Sequence, residues 1–280
     1  MLTVEEVRRA DQRRRFLEIG RVVFAEEPRW APPMRAYEQW LFGRRHPWRR
    51  AGGEVTRFLV RRGGHVVGRA CAHLSPGETE GAFGAFECAD EADAVAALLD
   101  ACRDWLDKRG ASRMRGPMTF TAADDAGVQV EGFDHPGGTG RPWHPPWYAE
   151  HLEAAGLTAV DSTYPRWRER TGPGPRLPEG GPTPPHAGRL ADPHLVLVGD
   201  AGAVAAVPDL AAAVRAGTAA AFRVRPTEAA VVRCDGDADR LVPAVLTAAA
   251  SAGYDHVWAP WSPDDRPPDT VHRLFGQNLR

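Results

Sequence analysis

The apolar positions of the chain fall into stretches of period two and stretches of period 3.6, and their order predicts an α/β protein. FLVRRGGHVVGRACAHL places apolar and β-branched residues on both sides of Gly63 and Gly64, a hairpin signal, and GAFGAFEC reads as a third strand. In ADEADAVAALLDACRDWLDKRG, Val95, Leu98, Leu99, Cys102 and Leu106 recur at helical spacing, and Gly110 is placed to stop the helix. Ser112 to Pro117 reads as the next strand, TFTAADDAG as a loop, VQVEGF as a short strand, and PPWYAEHLEAAG as a helix ending at Gly156. Upstream, the pattern predicts a helix over Val4 to Glu26 and a shorter one from Pro33 to Leu41, after the APP break.

From about Arg170 to Pro193 the chain is dense in proline and glycine and can continue neither a helix nor a central strand. This divides it into residues 1–168, a linker at 169–193, and a smaller segment at 194–280. The smaller segment repeats part of the plan, with EAAVVRC as a strand, DADRLVPAVLTAAASAG as a helix and YDHVWAP as a strand. Placing Cys88 on Cys234 also superposes Ala92 on Ala238 and Asp93 on Asp239. A three-residue deletion in the helix then brings Gly110 onto Gly253 and Pro117 onto Pro260, and the shared order of elements predicts an internal duplication. The second copy stops at FGQNLR, short of the strands a complete domain needs, which predicts that it borrows strands from the first.

Composition narrows the function classes. The 43% hydrophobic and 26% charged content is that of a globular protein. The N-terminus is charged throughout, and no segment approaches the roughly 18 uninterrupted apolar residues of a membrane span, so a cytoplasmic protein without membrane partners is expected. Cys71, Cys88, Cys102 and Cys234 form no CxxC pair and no zinc-finger spacing with histidine, so neither a metal nor a disulfide framework is expected. A net charge of -2 gives no global attraction to nucleic acid, and DNA is not expected as a partner. Arginine clusters occur at Arg8, Arg9 and Arg13 to Arg15, at Arg44, Arg45, Arg49 and Arg50, and at Arg166, Arg168 and Arg170. With Lys108 the only lysine, a coding preference for arginine and a solvated face account for them better than phosphate recognition.

The hairpin FLVRRGGHVVGRACAHL, the unit FGAFECADEADAVAALLDACRDWLDKRGASRMRGP, and the later EGFDHP and PPWYAEHLEAAGL resemble the GNAT acyltransferase superfamily, and within it a poorly characterised bacterial branch. The similarity covers roughly residues 15–168. It implies a GNAT-like first domain, an α+β mixed sheet whose two central parallel strands splay apart to admit a pantetheine chain, and a smaller, partial GNAT-like second domain. The thioester carbonyl would lie near a backbone N–H of the strand GAFGAFEC. A glycine-rich pyrophosphate loop is implied after that strand. Here Ala89, Asp90, Glu91, Ala92 and Asp93 stand in its place, and Asp235, Gly236, Asp237 and Asp239 in the second copy. Carboxylates at Asp90, Glu91 and Asp93 repel a diphosphate, which argues against acyl-CoA bound in the usual way; an N-cap at Asp90 or Asp235, with acids complementing the helix dipole, explains them in structural terms.

Acyl transfer to an amine needs a base for the ammonium proton and an acid for the departing group. Glu87, ending the strand at the implied thioester site, and Tyr148, in the aromatic-rich start of the PPWYAEHLEAAG helix, are the catalytic candidates. A solvent-facing strand glutamate and a core tyrosine are the ordinary alternatives. Asp124 and Asp125 lie in the loop that the resemblance turns toward the acceptor, where they would hold a cationic amine or serve as turn residues. Trp143, His144 and Trp147 complete the substrate-binding candidates; loop packing is the competing role of His144. The reading is an acyltransferase acting on a small amine or hydroxyl acceptor, from acyl-CoA, an acyl carrier protein or an aminoacyl-tRNA. The alternative is a GNAT-shaped ligand-binding or scaffold protein without catalysis.

Overall fold

The structure, a computed structural model, describes residues 1–33, 35–121, 125–170, 172, 195–199, 202–209, 228–236, 238–252, 254–260, 262 and 266–279. Its first half contains β1 (Leu2–Glu6), α1 (Ala10–Val23), α2 (Arg35–Leu41), α3 (Pro47–Arg50), β2 (Glu54–Arg62), β3 (His65–Leu74) and β4 (Glu80–Cys88). These are followed by α4 (Ala92–Asp107), β5 (Arg113–Gly116), β6 (Val128–Glu131), α5 (Trp147–Ala154) and β7 (Thr158–Arg170). The second half contributes β8 (Leu195–Gly199), β9 (Gly202–Pro208), β10 (Glu228–Gly236), α6 (Ala238–Ser251), β11 (His256–Ala259) and β12 (Thr270–Asn278). The mixed α/β class expected from the pattern is observed.

Gly63 and Gly64 adopt φ of 55° and 87°, the left-handed pair that a two-residue hairpin turn requires, and β2 and β3 pair antiparallel on either side. Every residue of the apolar stripe of α4 named above is fully buried, and Gly110 ends the helix region at φ 75°. The long N-terminal helix is shorter than the pattern predicts. Leu2–Glu6 is a strand paired with β2, and the helix begins only at Ala10, after the buried Val7. Val4 and Val7 were open to either period, and pairing with the edge of β2 decides the conformation.

The sheet runs β1-β2-β3-β4-β5-β12-β7-β11-β10-β9-β8, with β6 joined to β12. The final strand thus inserts between β5 and β7 of the first half, while the end of β7, Trp167 to Arg170, pairs with β11 of the second. Strands are exchanged in both directions, so the second half does borrow its missing neighbour. The division at 168 in sequence falls inside β7, and residues 270–278 lie spatially with the first half. Residues 173–193, most of the expected linker, lie outside the described residues.

The duplication is visible in the backbone. In each half a strand, a helix and a second strand parallel to the first follow one another: β4, α4, β5 and β10, α6, β11. Each leading strand carries a bulge. Gly84 and Glu87 pair with Cys71 and Arg69, leaving Ala85 and Phe86 opposite Ala70, and Ala85 adopts φ 45°. In β10, Val231 and Arg233 pair with Ala206 and Ala205, leaving Val232 as the extra residue. Superposing Cys88 on Cys234 places Phe86 on Val232, so the two bulges coincide, and the helices start at the matched Ala92 and Ala238.

Two layers cover the first half of the sheet. Phe58, Val60, Ala70, Ala72 and Phe83 face the α4 core, whereas Leu59, Cys71 and Ala85 pack with Phe16 of α1 on the other face. Uninterrupted alternation would send residues 83, 85 and 87 to one face. The bulge resets that phase: Phe86 and Cys88 join Phe83 on the α4 side, and Glu87 turns under α1.

Candidate functional site

Glu87 is buried at 8% exposure, against the solvent-facing position that alternation favours. Its carboxylate lies so close to α1 that a Cβ at Gly20 would collide with it. Arg69 Nε stands 2.8 Å from Glu87 Oε2, and the same guanidinium donates to Glu38 Oε1 at 2.7 Å and to the Phe16 carbonyl at 2.8 Å. Two carboxylates therefore share one buried cation. Burial pushes the Glu38 carboxyl above its ordinary range despite Arg69. Burial acts to lower Arg69, but Glu87 and Glu38 outweigh it and hold its pKa high.

Tyr148 approaches β4 from the opposite face, among Phe86, Leu98 and the rest of the α4 core. Its hydroxyl accepts from the Cys88 N–H at 2.8 Å and donates to the Cys88 carbonyl at 3.2 Å, and burial pushes its pKa well above the ordinary phenol value. Glu87 and Tyr148 thus flank the same stretch of strand from opposite faces of the sheet. Around Tyr148 the structure gathers Trp147, at 4.5 Å between ring centroids, and His144, at 5.3 Å. The His144 backbone and Nδ1 exchange contacts with Gln129 at 3.4 Å, and burial depresses its pKa to about 3, so the ring is neutral. Trp143 packs on Phe24, carries the Arg29 guanidinium over its ring at 4.8 Å and donates to the Phe133 carbonyl. Asp125 accepts Thr119 N–H through its backbone carbonyl at 2.9 Å; Asp124 lies outside the described residues.

β4 and β5 form a parallel pair over Glu80–Ala82 and Arg113–Arg115 and then part. The fork is closed by the chain's own groups. Met118 N–H donates to the Phe83 carbonyl at 2.7 Å, and the Ala85 N–H donates to the Thr119 hydroxyl at 2.8 Å. Phe120 N–H donates to His73 Nε2 at 3.1 Å, and burial lowers the His73 pKa to about 4. This approach needs two glycines: a Cβ on Gly84 would collide with the Met118 carbonyl, and one on Gly116 with the Phe83 carbonyl.

At the start of α4 the N-cap is Glu91 and not Asp90, with no side-chain cap bond. Asp90 is drawn instead to His151, its Oδ1 2.8 Å from Nε2. Arg62 donates to Glu91 at 2.7 Å and to Asp93 at 2.5 Å, the latter bond holding Asp93 below its ordinary range. Each of these carboxylates already has a cationic or imidazole neighbour. Among the described residues, no group of three or more His, Cys, Asp or Glu side chains is placed to hold a metal, and no helix is long and apolar enough to cross a membrane.

One grouping escaped the sequence reading. Thr139, Gly140, Arg141, Thr163, Tyr164 and Arg166 of the first half meet Val231, Trp258, Ala259 and Pro260 of the second around a cavity of about 140 Å³. Arg166, read in sequence with the other arginine clusters as a solvated face, is 7% exposed, with its guanidinium 4.7 Å from the Trp258 ring centroid. Strand alternation gave no signal for it, since Arg166, Arg168 and Arg170 share one face of β7 and only Arg166 of the three is buried, over the Trp258 ring.

An open sheet of parallel forks, bulged leading strands and exchanged terminal strands is the tandem GNAT fold, and this chain has it. A tandem GNAT protein from the clavulanic acid biosynthesis pathway, solved without acetyl-CoA, superposes over 100% of this chain and 99% of its own, with a TM-score of 0.61 at 15% identity. In sequence, protein YghO of Escherichia coli K12 is 29% identical over 168 residues, 56% of this chain and 41% of that protein. A bacterial ceramide synthase of Caulobacter vibrioides is 32% identical over 143 residues, 48% of this chain and 37% of that protein. This chain matches less than half the length of these curated relatives. No family model matches the sequence.

Proposed function

We propose that the protein is an N-acyltransferase, moving an acyl group from a thioester or an activated ester to an amine at the bulge of β4. The observation that carries the reading is the position of Glu87, sealed beneath α1 at the bulge and joined through Arg69 to a second carboxylate of raised pKa. The amine nitrogen attacks the acyl carbon, the C–N bond forms, and the C–S bond of a thioester, or the C–O bond of an aminoacyl-tRNA ester, breaks. The ammonium proton passes to Glu87, and the departing thiolate or alkoxide takes a proton from the Tyr148 phenol. The likeness to a protein named a ceramide synthase supports this direction, ceramide being the amide of a fatty acid and a long-chain amino alcohol.

The residues at the α4 terminus do not fit a diphosphate. Like charges a few Å apart cost on the order of 1–4 kcal/mol in partly solvated surroundings, and Asp90, Glu91 and Asp93 all lie there. A donor whose phosphates lie away from the α4 terminus, carried by an acyl carrier protein or a tRNA, is the alternative to acyl-CoA bound in the usual way. The test is amide formation, followed by mass spectrometry, from a long-chain amino alcohol and each of acyl-CoA, acyl carrier protein and aminoacyl-tRNA. Product is expected from a carrier-borne donor, and Glu87→Gln should lower the rate by about 10²-fold or more. No product from any donor, or an undiminished Glu87→Gln, contradicts the proposal.

A second reading, a catalytically silent ligand-binding protein, is favoured by one observation. The Ala85 and Cys88 N–H groups, the donors beside which a thioester carbonyl would lie, are held by the Thr119 and Tyr148 hydroxyls. Under that reading Glu87→Gln changes stability alone.

A further inference from the structure

Two arginines lie over the Phe16 ring on the α1 face of the sheet, and their surroundings differ. Arg69 stands with its Cζ 5.0 Å from the ring centroid and Arg57 with its Cζ 5.7 Å away. Phe42, edge-on to Phe16 at 5.3 Å, is a second ring under Arg57 at 5.4 Å. Arg69 has Glu38 and Glu87 built in beside it. Among the described residues, the half-buried Arg57 guanidinium has neither an ion pair nor a hydrogen bond.

The cations near Arg57 are not offset. Burial lowers its pKa, and Arg13 and Arg49 lower it further, while no carboxylate among the described residues acts to raise it. The Cys71 thiol opposes them only when ionised, and burial pushes its pKa up to about 12. Arg13 lies one turn before Phe16 on α1, where its Nη1 donates to the Arg8 carbonyl at 2.6 Å. Arg49, on α3, donates through Nη1 to the carbonyl of Gly53, which immediately precedes β2, at 2.8 Å. A carbonyl bond orients a guanidinium without cancelling its charge, and four of its five N–H donors stay available. The surplus extends along the sequence: residues 8–57 hold thirteen arginines against six aspartates and glutamates, in a chain of net charge -2. One of those six, Glu38, is already taken by Arg69.

We infer that Arg13, Arg49 and Arg57 form a binding site for the phosphate group of a phosphorylated ligand, seated over the Phe16 and Phe42 rings. Three cations suit a phosphate dianion better than a single carboxylate, and planar guanidiniums meet its oxygens bidentately. Arg57, held on two aromatic faces, is fixed in place before the ligand arrives. The site lies across the sheet from α4, whose terminus carries Asp90, Glu91 and Asp93 and does not fit phosphate. It needs no acyl transfer at β4, and each can fail without the other.

The test is calorimetric titration of the full chain at pH 7.5 and constant ionic strength with inorganic phosphate, with sodium acetate as the control anion and vesicles containing phosphatidic acid as a second phosphate source. Phosphate is expected to bind about tenfold or more tightly than acetate. Arg57→Gln should weaken it by a similar factor, Arg57→Lys less, and Arg49→Gln should weaken it too. Arg113→Gln removes an arginine that lies beside Glu80 and should leave phosphate binding unchanged. If Arg57→Gln does not fold, Arg57→Lys and Arg49→Gln carry the test. Vesicles bound more tightly than phosphate would identify a lipid headgroup as the ligand's source, and phosphate bound as tightly as vesicles a soluble phosphate ester. No binding of phosphate in either form, acetate bound as tightly as phosphate, or an equal loss in Arg113→Gln and Arg49→Gln overturns the assignment.

Discussion

The forks of the two halves share a topology, a bulge and a flanking proline, yet different residues border the parting strands. In the first, glycines at 84 and 116 admit backbone contact, and Met118, Thr119 and Phe120 knit to β4 and His73. In the second, alanines stand at the aligned 230 and 259, and arginines brought by the first half line the space. The two copies share a scaffold, while glycine in the first stands against alanine in the second at both aligned positions. Strand exchange completes the difference, because β7 carries Tyr164 and Arg166 from the first sheet to the edge of the second.

Acid should separate the halves most strongly. His73, His144 and His272 are buried and neutral, with pKa about 4, about 3 and well below 6.5, and none lies on β8 to β11. Below pH 6.5 the unfolded chain takes up protons that the folded one refuses. Stability is thus fully present above about pH 6.5 and falls by about 1.4 kcal/mol per pH unit for each histidine as the pH drops toward 4. Glu38, whose folded pKa is raised, acts in the opposite sense. Hydrogen exchange at pH 5 and 7.5 should show first-half amides, Met118 and Phe120 among them, losing protection before those of α6. Uniform loss across both halves breaks the comparison.

Removing the shared cation comes next. Arg69→Met leaves Glu38 and Glu87 buried without their partner and should cost roughly 3–5 kcal/mol in urea unfolding. A change below about 1 kcal/mol, the range of exposed pairs, would show that water reaches the cluster.

The smallest changes are the sharpest for the forks themselves. Gly84→Ala should destabilise by roughly 1–3 kcal/mol through overpacking against Met118, whereas Ala230→Gly should cost only about 0.5–1 kcal/mol of backbone entropy. Equal costs in chemical denaturation would mean that the two positions do not differ in packing.

Much of this architecture was legible in sequence. The Gly63-Gly64 hairpin, the stripe of α4 and the Cys88/Cys234 register are local signals, and local signals survive folding. Leu2–Glu6 was not recoverable as a strand, because five residues fit either period and only the β2 edge decides. The insertion of β12 between β5 and β7 was foreseen only as a need for borrowed strands; its register depends on contacts more than a hundred residues apart. Glu87 and Tyr148 were placed on the correct strand and helix, but the bulge that turns Glu87 inward depends on Ala85 leaving the extended conformation, which alternation does not encode. The cavity was missed for a similar reason. Gly84 against Ala230 and Gly116 against Ala259 are plain in the aligned sequence, but their meaning appears only when Met118 is seen lying over the glycine.

Amide formation from an activated acyl donor and a long-chain amino alcohol, measured for the wild type and for Glu87→Gln, tests the account most directly. The account predicts product from the wild type and a rate lowered by about 10²-fold in Glu87→Gln. No product from any donor, or an undiminished rate in the variant, would contradict it.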